Sequence, residues 1–485
     1  MTRPSPLDIY SLLDKSNCKD CGYDTCMAFA TDLLERKIFV KDCTHLMNDP
    51  KQAKKRDKLA KLITPPQKPV IIGTGERAVT VGGEEVLMRH QLTFYNETGI
   101  FIEIADDDPD LEQKVKYLAD LTVNRIGEVL KINGIALRNV SGDKEQFKLA
   151  AKKLSDVSNL PIILCCLNSD ILLAAAADIK EKNPLLYAAT KETWEQVGTF
   201  AVQNNLPVVA VSTNINELLS LSATLQQLGA KSIVLDPGTY FGPGNVAVTY
   251  DNIMELRIAA IDKEEVNAGW PVMGVPAAYW AQTKVDNKKD LWRHQFEETI
   301  MGAIMESIGT SLIILHTGQE KEDIWALLAL MTLRQSVYSD PRIYPAVDPG
   351  IYKIGEPGDM APIFVTSNYR MTKIPVEMDL QGANIACWLL VADTEGIGIE
   401  SAVAGGQFSA SGIGEAVTEF KPFDNVKHRI LILPGMAARI SGALEDEANA
   451  FVVVGPRDSS GIPKFMETQW RPEEFMKEFE SWEKE

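Results

Sequence analysis

Four of the chain's seven cysteines, Cys18, Cys21, Cys26 and Cys43, fall within its first 43 residues in the pattern Cys-x2-Cys-x4-Cys-x16-Cys. Four thiolates suffice to hold one iron-sulfur cluster or one structural zinc ion. Zinc is usually gripped by two Cys-x-x-Cys knuckles, and only one is present. A third ligand four residues further on wraps a loop around a cubane better than around a tetrahedral ion. Gly22, directly after Cys21, lets the backbone approach inorganic sulfide without a Cβ in the way. The spacing favours a 4Fe-4S cluster, with zinc and unliganded thiols as the alternatives. A radical S-adenosylmethionine site would need Cys-x3-Cys-x2-Cys, which is not the order found. Cys165, Cys166 and Cys387 sit in apolar runs and read as small buried hydrophobes.

The elements that position this segment follow from length and pattern. At roughly 150 residues per domain, 485 residues imply about three domains. Apolar residues at 45% and charged residues at 24% are ordinary for a folded globular chain. Lys plus Arg at 49 against Asp plus Glu at 67 leaves a net charge of −18, which repels nucleic acid and anionic membranes. No apolar run is long enough to span a bilayer, and Leu7 to Leu13 is amphipathic rather than a signal-peptide core. A cytoplasmic protein is expected.

The cysteine-bearing domain is expected over 1–62, ending in the basic stretch Lys51 to Lys58. A linker and hairpin over 63–90 follow, opened by the stiff Thr64-Pro65-Pro66-Gln67-Lys68-Pro69. Strands are expected at Val70–Ile72, Ala78–Val81 and Glu85–Met88. Gly73-Thr74-Gly75 imitates a dinucleotide fingerprint, but a hairpin pattern follows it instead of a helix. Over 91–336, continuous apolar runs alternate with helical stretches. The runs start at Leu92, Ile135, Pro161, Pro184, Pro207, Ser232, Pro271 and Leu312. Runs without alternation mean strands buried on both faces. Eight such units in about 250 residues predict a (β/α)8 barrel, with a doubly wound sheet as the alternative. After a Pro- and Gly-rich connector at 341–350, four more buried runs (362–366, 388–392, 430–433 and 451–454) predict a smaller open α/β domain over 337–457. The tail, 458–485, contains an acidic amphipathic helix.

These motifs together resemble the large (gamma) subunit of the corrinoid iron-sulfur protein of the acetyl-CoA decarbonylase/synthase complex. The resemblance rests on Asn17 to Ala30, Gly83 to His90, Val234 to Tyr240, Pro349 to Gly355, Thr366 to Thr372, Trp388 to Gly396 and Leu433-Pro434-Gly435, in one order along the chain. It implies an N-terminal 4Fe-4S domain held by Cys18, Cys21, Cys26 and Cys43, a central barrel, and a C-terminal corrinoid-binding domain. It also implies a small (delta) subunit, itself a barrel, with the corrinoid between that partner and the C-terminal domain.

In that family, cobalt shuttles between Co(I) and methyl-Co(III). It takes a methyl group from a methyl-tetrahydropterin, tetrahydrofolate or tetrahydrosarcinapterin, by way of a pterin methyltransferase, and delivers it to the nickel site of the acetyl-CoA synthase subunit. The cubane re-reduces Co(II), which requires a mobile linker. The implied corrinoid contacts are Thr366, Asn368, Tyr369, Arg370, Met371 and Thr372, then Glu395, Gly396, Gly398, Gly405 and Gly406, and Gly435. Backbone amides near Gly396 and Gly398 could meet a phosphate or propionamide at a helix N-terminus.

Many corrinoid domains supply a cobalt ligand from Asp-x-His-x-x-Gly. None of the five histidines, His45, His90, His294, His316 and His428, fits that pattern. A cobalamin-type corrinoid in the base-off state without a histidine ligand is expected, with Thr372 near the metal by resemblance. Two other classes remain: a pterin-binding barrel methyltransferase using Asn168, Asp236 and His316 at its mouth, and a simple electron carrier.

Overall fold

The computed structural model describes residues 4–91, 94–242, 244–282, 284–321, 324–339 and 345–482. They form two compact units, one of Met1–Leu121 with Lys131–Ser339, the other of Thr122–Leu130 with Asp340–Glu485. Among the described residues no helix is long and apolar enough to cross a membrane.

The first unit opens with four short helices, Pro6–Leu12, Cys26–Leu34, Thr44–Asn48 and Ala53–Leu62. Ser5 and Asp8 cap the first reciprocally, with Pro6 at its first position, and Thr25 caps the second. Ile9, Leu13, Phe29, Leu33, Leu46 and Leu59 close a small core. The Pro-rich segment then fastens to the barrel: the Lys68 amide donates to Gly269 O at 3.0 Å and the Gln67 side chain to Trp270 O at 3.3 Å. β1 (Pro69–Ile72) pairs antiparallel with β2 (Val79–Gly82), which makes Gly73-Thr74-Gly75 a hairpin turn. The third expected strand, Glu85–Met88, is not formed. Its Val86 and Leu87 carbonyls instead accept from the buried Arg257 guanidinium, both at 3.1 Å.

β3 (Gly99–Ala105) opens the barrel. The strand expected to start at Leu92 is thus displaced. Leu92 and Thr93 lie outside the described residues, and Phe94-Tyr95 is irregular chain. A hairpin of β4 (Val123–Arg125) and β5 (Glu128–Leu130) interrupts the barrel and belongs to the second unit. Seven strands complete the barrel: β6 (Gly134–Arg138), β7 (Ile162–Cys165), β8 (Leu185–Ala189), β9 (Val208–Val211), β10 (Ile233–Asp236), β11 (Met273–Gly274) and β12 (Leu312–Leu315). All eight pair in parallel in the order β10-β9-β8-β7-β6-β3-β12-β11, and a Leu235–Val272 bridge closes the ring.

The second unit carries a five-stranded sheet of β13 (Gly350–Ile354), β14 (Ile363–Ser367), β15 (Cys387–Ala392), β16 (Ile430–Leu433) and β17 (Phe451–Val454), ordered β13-β15-β14-β16-β17. β13 is an antiparallel edge strand on β15 that the sequence pattern did not mark. One face packs on the helices Ile399–Gly405, Ala410–Phe420 and Ser441–Ala448 through Val365, Leu390, Leu431 and Val452. The other packs on Arg370–Gly382 and Ile462–Thr468 through Phe364, Leu389, Val391 and Ile432. The alternation along each strand divides the two cores. The tail helix, Pro472–Trp482, stacks Phe475 on Phe451 with ring centroids 5.5 Å apart.

Gly134 lies where β6 crosses the Phe101 ring, and a Cβ there would come 2.3 Å from that ring and 2.4 Å from Pro161 O. Gly134→Ala is expected to cost about 1–3 kcal/mol by overpacking, read as a lower denaturant midpoint for the barrel.

Candidate cofactor sites

The first site is the cysteine pocket. Asn17, Lys19 and Gly22 adopt left-handed φ of 48°, 65° and 83°, which coils the chain around Cys18 and Cys21. Nothing lies within 4 Å of a Cβ placed on Gly22, and the Gly22 amide closes a turn to Lys19 O at 2.9 Å. Cys26 is the first residue of its helix. Its amide donates to Asn17 Oδ1 at 2.8 Å, tying the loop to the helix. Cys43 arrives from the far side, just before Thr44–Asn48. All four thiols, with Leu13, Tyr23 and Phe29, line one pocket. Burial, and then the neighbouring Cys21, Cys26 and Cys18, push the Cys43 thiol above its ordinary value, against a hydrogen bond at the Leu46 backbone. Among the described residues no three His, Cys, Asp or Glu side chains are grouped to hold a single metal ion. Four soft donors around one apolar pocket fit a cluster with a cationic core.

The second site lies in the C-terminal sheet. From β14 the chain crosses to β15 on one side, then returns past β14 to β16 on the other. The crossover helices therefore leave on opposite faces, and the carboxyl ends of β14 and β16 form a topological switch point. These two strands register through one pair, Phe364 with Ile432. Above it opens a cleft of about 230 Å³. Phe364, Val365, Ile399 and Ile432 line its depth, Met371, Thr372, Pro375 and Val376 its helix wall, and Leu433, Pro434 and Met436 the opposite strand end.

Of the sequence-expected contacts, Thr366, Met371 and Thr372 line this cleft. Thr366 is 1% exposed, and its Oγ1 has no hydrogen-bond partner within the chain. A buried hydroxyl at a cleft floor is costly unless something fills its valence. An apolar cleft with a donor of this kind fits a large, mostly apolar macrocycle carrying polar edges.

The other expected residues build the rim from behind. Asn368 Oδ1 accepts from the Thr394 amide (3.0 Å), the Thr394 hydroxyl (2.8 Å) and the Gly396 amide (3.0 Å). That grip holds Glu395 and Gly396 at left-handed φ of 57° and 73°. Tyr369 stands at the N-terminal boundary of the helix that carries Thr372, and its ring lies 3.3 Å from where a Gly398 Cβ would stand. Arg370 pairs with Glu128 on the β4–β5 hairpin at 3.0 Å. Gly435 lets the loop after β16 meet that after β17, since a Cβ there would lie 2.9 Å from Gly455 O. Gly405 and Gly406 end their helix at the surface, away from the cleft lining.

Sequence reasoning missed one wall of the cleft: Gly455, Pro456, Arg457, Asp458, Ser459 and Ile462. The only signal was a Gly-Pro step directly after β17. The tail, left without a role, starts inside this wall. Among the described residues no histidine lines the cleft. His428 is buried elsewhere, its Nε2 2.9 Å from Ala361 O and its Nδ1 accepting from the Ile430 amide at 3.2 Å.

At the barrel mouth, Asn168 caps the helix Ser169–Ile179 and Asp236 accepts the Tyr187 hydroxyl at 2.7 Å. His316 Nδ1 lies 2.6 Å from Glu103 Oε1, and its ring stacks on Trp280 with centroids 4.2 Å apart.

Residues 69–466 match the family model described as "CO dehydrogenase/acetyl-CoA synthase delta subunit", and residues 13–45 one described as "Putative Fe-S cluster". The chain is 40% identical over 474 residues, 96% of its length and 99% of the relative's, to subunit gamma 2 of the acetyl-CoA decarbonylase/synthase complex of Methanosarcina thermophila. It is 38% identical to the gamma subunit of Archaeoglobus fulgidus, covering 97% of this chain and 99% of the relative. The chain belongs to the acetyl-CoA decarbonylase/synthase gamma-subunit family. Its barrel overlaps dihydropteroate synthase of Thermus thermophilus at a TM-score of 0.37 and 14% identity, over 55% of this chain and 100% of that one, too distant to bear on function. The shorter match, over residues 13–45, spans all four cysteines of the pocket.

Two outcomes follow for these sites. Cys26→Ala and Cys43→Ala are each expected to remove the iron-sulfur absorption near 400 nm and most of the bound iron, while the buried Cys387→Ala leaves both intact. Burial, opposed by the Ala361 hydrogen bond, holds His428 below its ordinary value. Its native pKa being depressed, the unfolded state binds the extra proton first. Stability around β16 is therefore full above about pH 6.5 and falls as the pH drops below it. Hydrogen exchange of Ile430–Leu433 between pH 5 and 8 reads this directly, and His428→Gln should flatten the dependence.

Proposed function

We propose that this chain is the corrinoid iron-sulfur subunit of a cytoplasmic acetyl-CoA decarbonylase/synthase. It would carry a methyl group between a methyl-tetrahydropterin and the nickel site of the acetyl-CoA synthase subunit, as the methyl-accepting component of a pterin:corrinoid methyltransferase. When bound, the corrinoid supplies a nucleophilic metal that takes and gives the methyl group, and the 4Fe-4S cluster supplies the low-potential electron that restores it. The observation that carries this reading is the switch-point cleft with its unpartnered Thr366 hydroxyl, in a chain that also rings a pocket with four thiols.

The chain's own part is to bind and to withhold. Met371, Pro375, Val376 and Ile432 would offer a corrinoid an apolar bed that excludes water. Thr366 and Thr372 offer hydroxyls, which are weak ligands. His428 keeps both ring nitrogens on the backbone and offers none. With no imidazole among the cleft's lining residues, a metal held there would meet no strong nitrogen donor from the chain, which would favour its electron-rich reduced state. Arg457 and Asp458 stand at the rim, where propionamides or a nucleotide tail would meet charge. The partners fitting this role are a delta-type subunit over the cleft and a pterin methyltransferase as donor.

The test is electron paramagnetic resonance of the chain, reconstituted with iron, sulfide and a cobamide and poised in the Co(II) state. The expected spectrum is base-off with no nitrogen splitting, unchanged in His428→Gln, with Thr366→Val weakening corrinoid retention several-fold. Nitrogen splitting that vanishes in a histidine variant would refute the axial-ligand reading. Iron-sulfur bands with no corrinoid uptake would leave a simple electron carrier, and tight methyl-pterin binding by the chain alone would favour the barrel as methyltransferase.

A further inference from the structure

How readily an iron-sulfur cluster takes an electron depends on the N–H groups aimed at its sulfurs. Each one stabilises the extra negative charge of the reduced state and so raises the reduction potential. The cysteine pocket has such groups at hand and spends most of them elsewhere. Cys26 opens the helix Cys26–Leu34, so its amide is one that no carbonyl of the helix can accept. An amide in that position ordinarily serves a bound anion. Here it donates to Asn17 Oδ1 at 2.8 Å. The Ala28 amide goes to Thr25 Oγ1 at 3.1 Å, that of Gly22 to Lys19 O at 2.9 Å and that of Cys43 to Val40 O at 3.2 Å. The Leu46 backbone is an exception, since it is hydrogen-bonded to the Cys43 thiol.

The last three of those donations are ordinary local structure. Thr25 is the N-cap of its helix, and the Gly22 and Cys43 amides close turns on backbone carbonyls. Asn17 is different. It is not the cap of this helix, it lies nine residues before Cys26, and it directly precedes Cys18, another of the four thiols. Its backbone sits at a left-handed φ of 48°, which asparagine tolerates better than most residues. Glycine would meet that backbone demand equally well. The side-chain carbonyl is therefore the part of Asn17 that the turn does not need, and it is the part that occupies the Cys26 amide.

We propose that Asn17 is a positioning residue that sets the reduction potential of the cluster: by holding the Cys26 N–H it keeps that donor off the cluster and makes the reduced state a stronger reductant. This deepens the proposed function, in which the cluster supplies a low-potential electron, and it rests on that reading for the presence of the cluster.

The test titrates the full chain, reconstituted with iron and sulfide, through a graded series of applied potentials and follows the reduced cluster by electron paramagnetic resonance. Asn17→Gly keeps the left-handed backbone and removes the acceptor. At the wild-type midpoint it should raise the ratio of reduced to oxidised cluster about tenfold, a positive shift of about 59 mV for one electron. Asn17→Asp keeps both backbone and acceptor, and its midpoint should stand at or below that of the wild type. Asn17→Ala removes the same acceptor by a second route, in case glycine loosens the loop. Iron content equal to wild type certifies each variant. An unchanged midpoint in Asn17→Gly and Asn17→Ala overturns the inference and leaves the proposed function standing. A positive shift of equal size in Asn17→Asp traces the effect to something other than the acceptor and also overturns it. Loss of the cluster from both acceptor-free variants, with Asn17→Asp intact, makes the bond a structural tie only, which overturns it too. A wild-type chain that assembles no cluster overturns it together with the function it rests on.

Discussion

The C-terminal unit depends on how little holds β14 to β16. Every other adjacent pair in that sheet is laddered along four or five residues, whereas these two strands register only at Phe364 and Ile432. A parallel sheet that reverses its winding sends its crossover helices to opposite faces, so no helix covers the carboxyl ends at the reversal. The strands diverge there and the gap becomes the cleft. Depth and rim are therefore consequences of topology. Only the chemistry of the lining is left to residue choice, and that choice is apolar side chains with hydroxyls rather than imidazole.

Much of this was legible in sequence because the relevant patterns are local. Seven barrel strands are short, continuous apolar runs buried on both faces, the signature of a parallel sheet. The first was missed for a physical reason: Gly99–Ala105 carries Glu103, a charge that breaks an apolar run. The barrel tolerates it because the buried carboxylate is paired with Arg138 at 2.7 Å and His316 at 2.6 Å. β13 was missed because an edge strand is half exposed, and Gly350–Ile354 reads as Gly-Ile-Tyr-Lys-Ile with no continuous apolar character.

The candidate sites divide in the same way. Ligand spacing along one loop is written in the sequence, and the four cysteines line one pocket. The cleft is assembled from segments far apart along the chain, such as Thr366 and Pro456, 90 residues from one another. What brings the last wall in is the contact of Gly435 with Gly455 and Arg457, a close approach between two loops that neither loop announces. Asn368, expected at the ligand, proves to spend its amide group on Asp393, Thr394 and Gly396. A polar residue beside a motif is as easily a brace for the loop as a contact, and only its hydrogen-bond partners tell the two apart.

The same accounting bears on how the cluster-bearing helices are held. Arg36 reaches from the end of Cys26–Leu34 to Gly83 O at 2.6 Å and Glu85 at 2.5 Å, with its guanidinium 3.9 Å from the Tyr95 ring centroid. That receiving segment is itself anchored deeply: Glu84 is buried, accepting the Tyr95 and Asn96 amides, and the carbonyls of Val86 and Leu87 are held by Arg257, fully buried and bonded also to Gly309 O. Removing Arg257 would leave several interior carbonyls unpaired, whereas the Arg36 and Glu85 side chains are 24% and 21% exposed and regain water when they part. Detaching the cluster domain at Arg36 costs a few kcal/mol, from two charge-assisted hydrogen bonds and a cation–π contact. Detaching it anywhere deeper would open the barrel. The fastening of Gln67 and Lys68 against Gly269 and Trp270 adds the second limit, because it confines any swing to the residues before them.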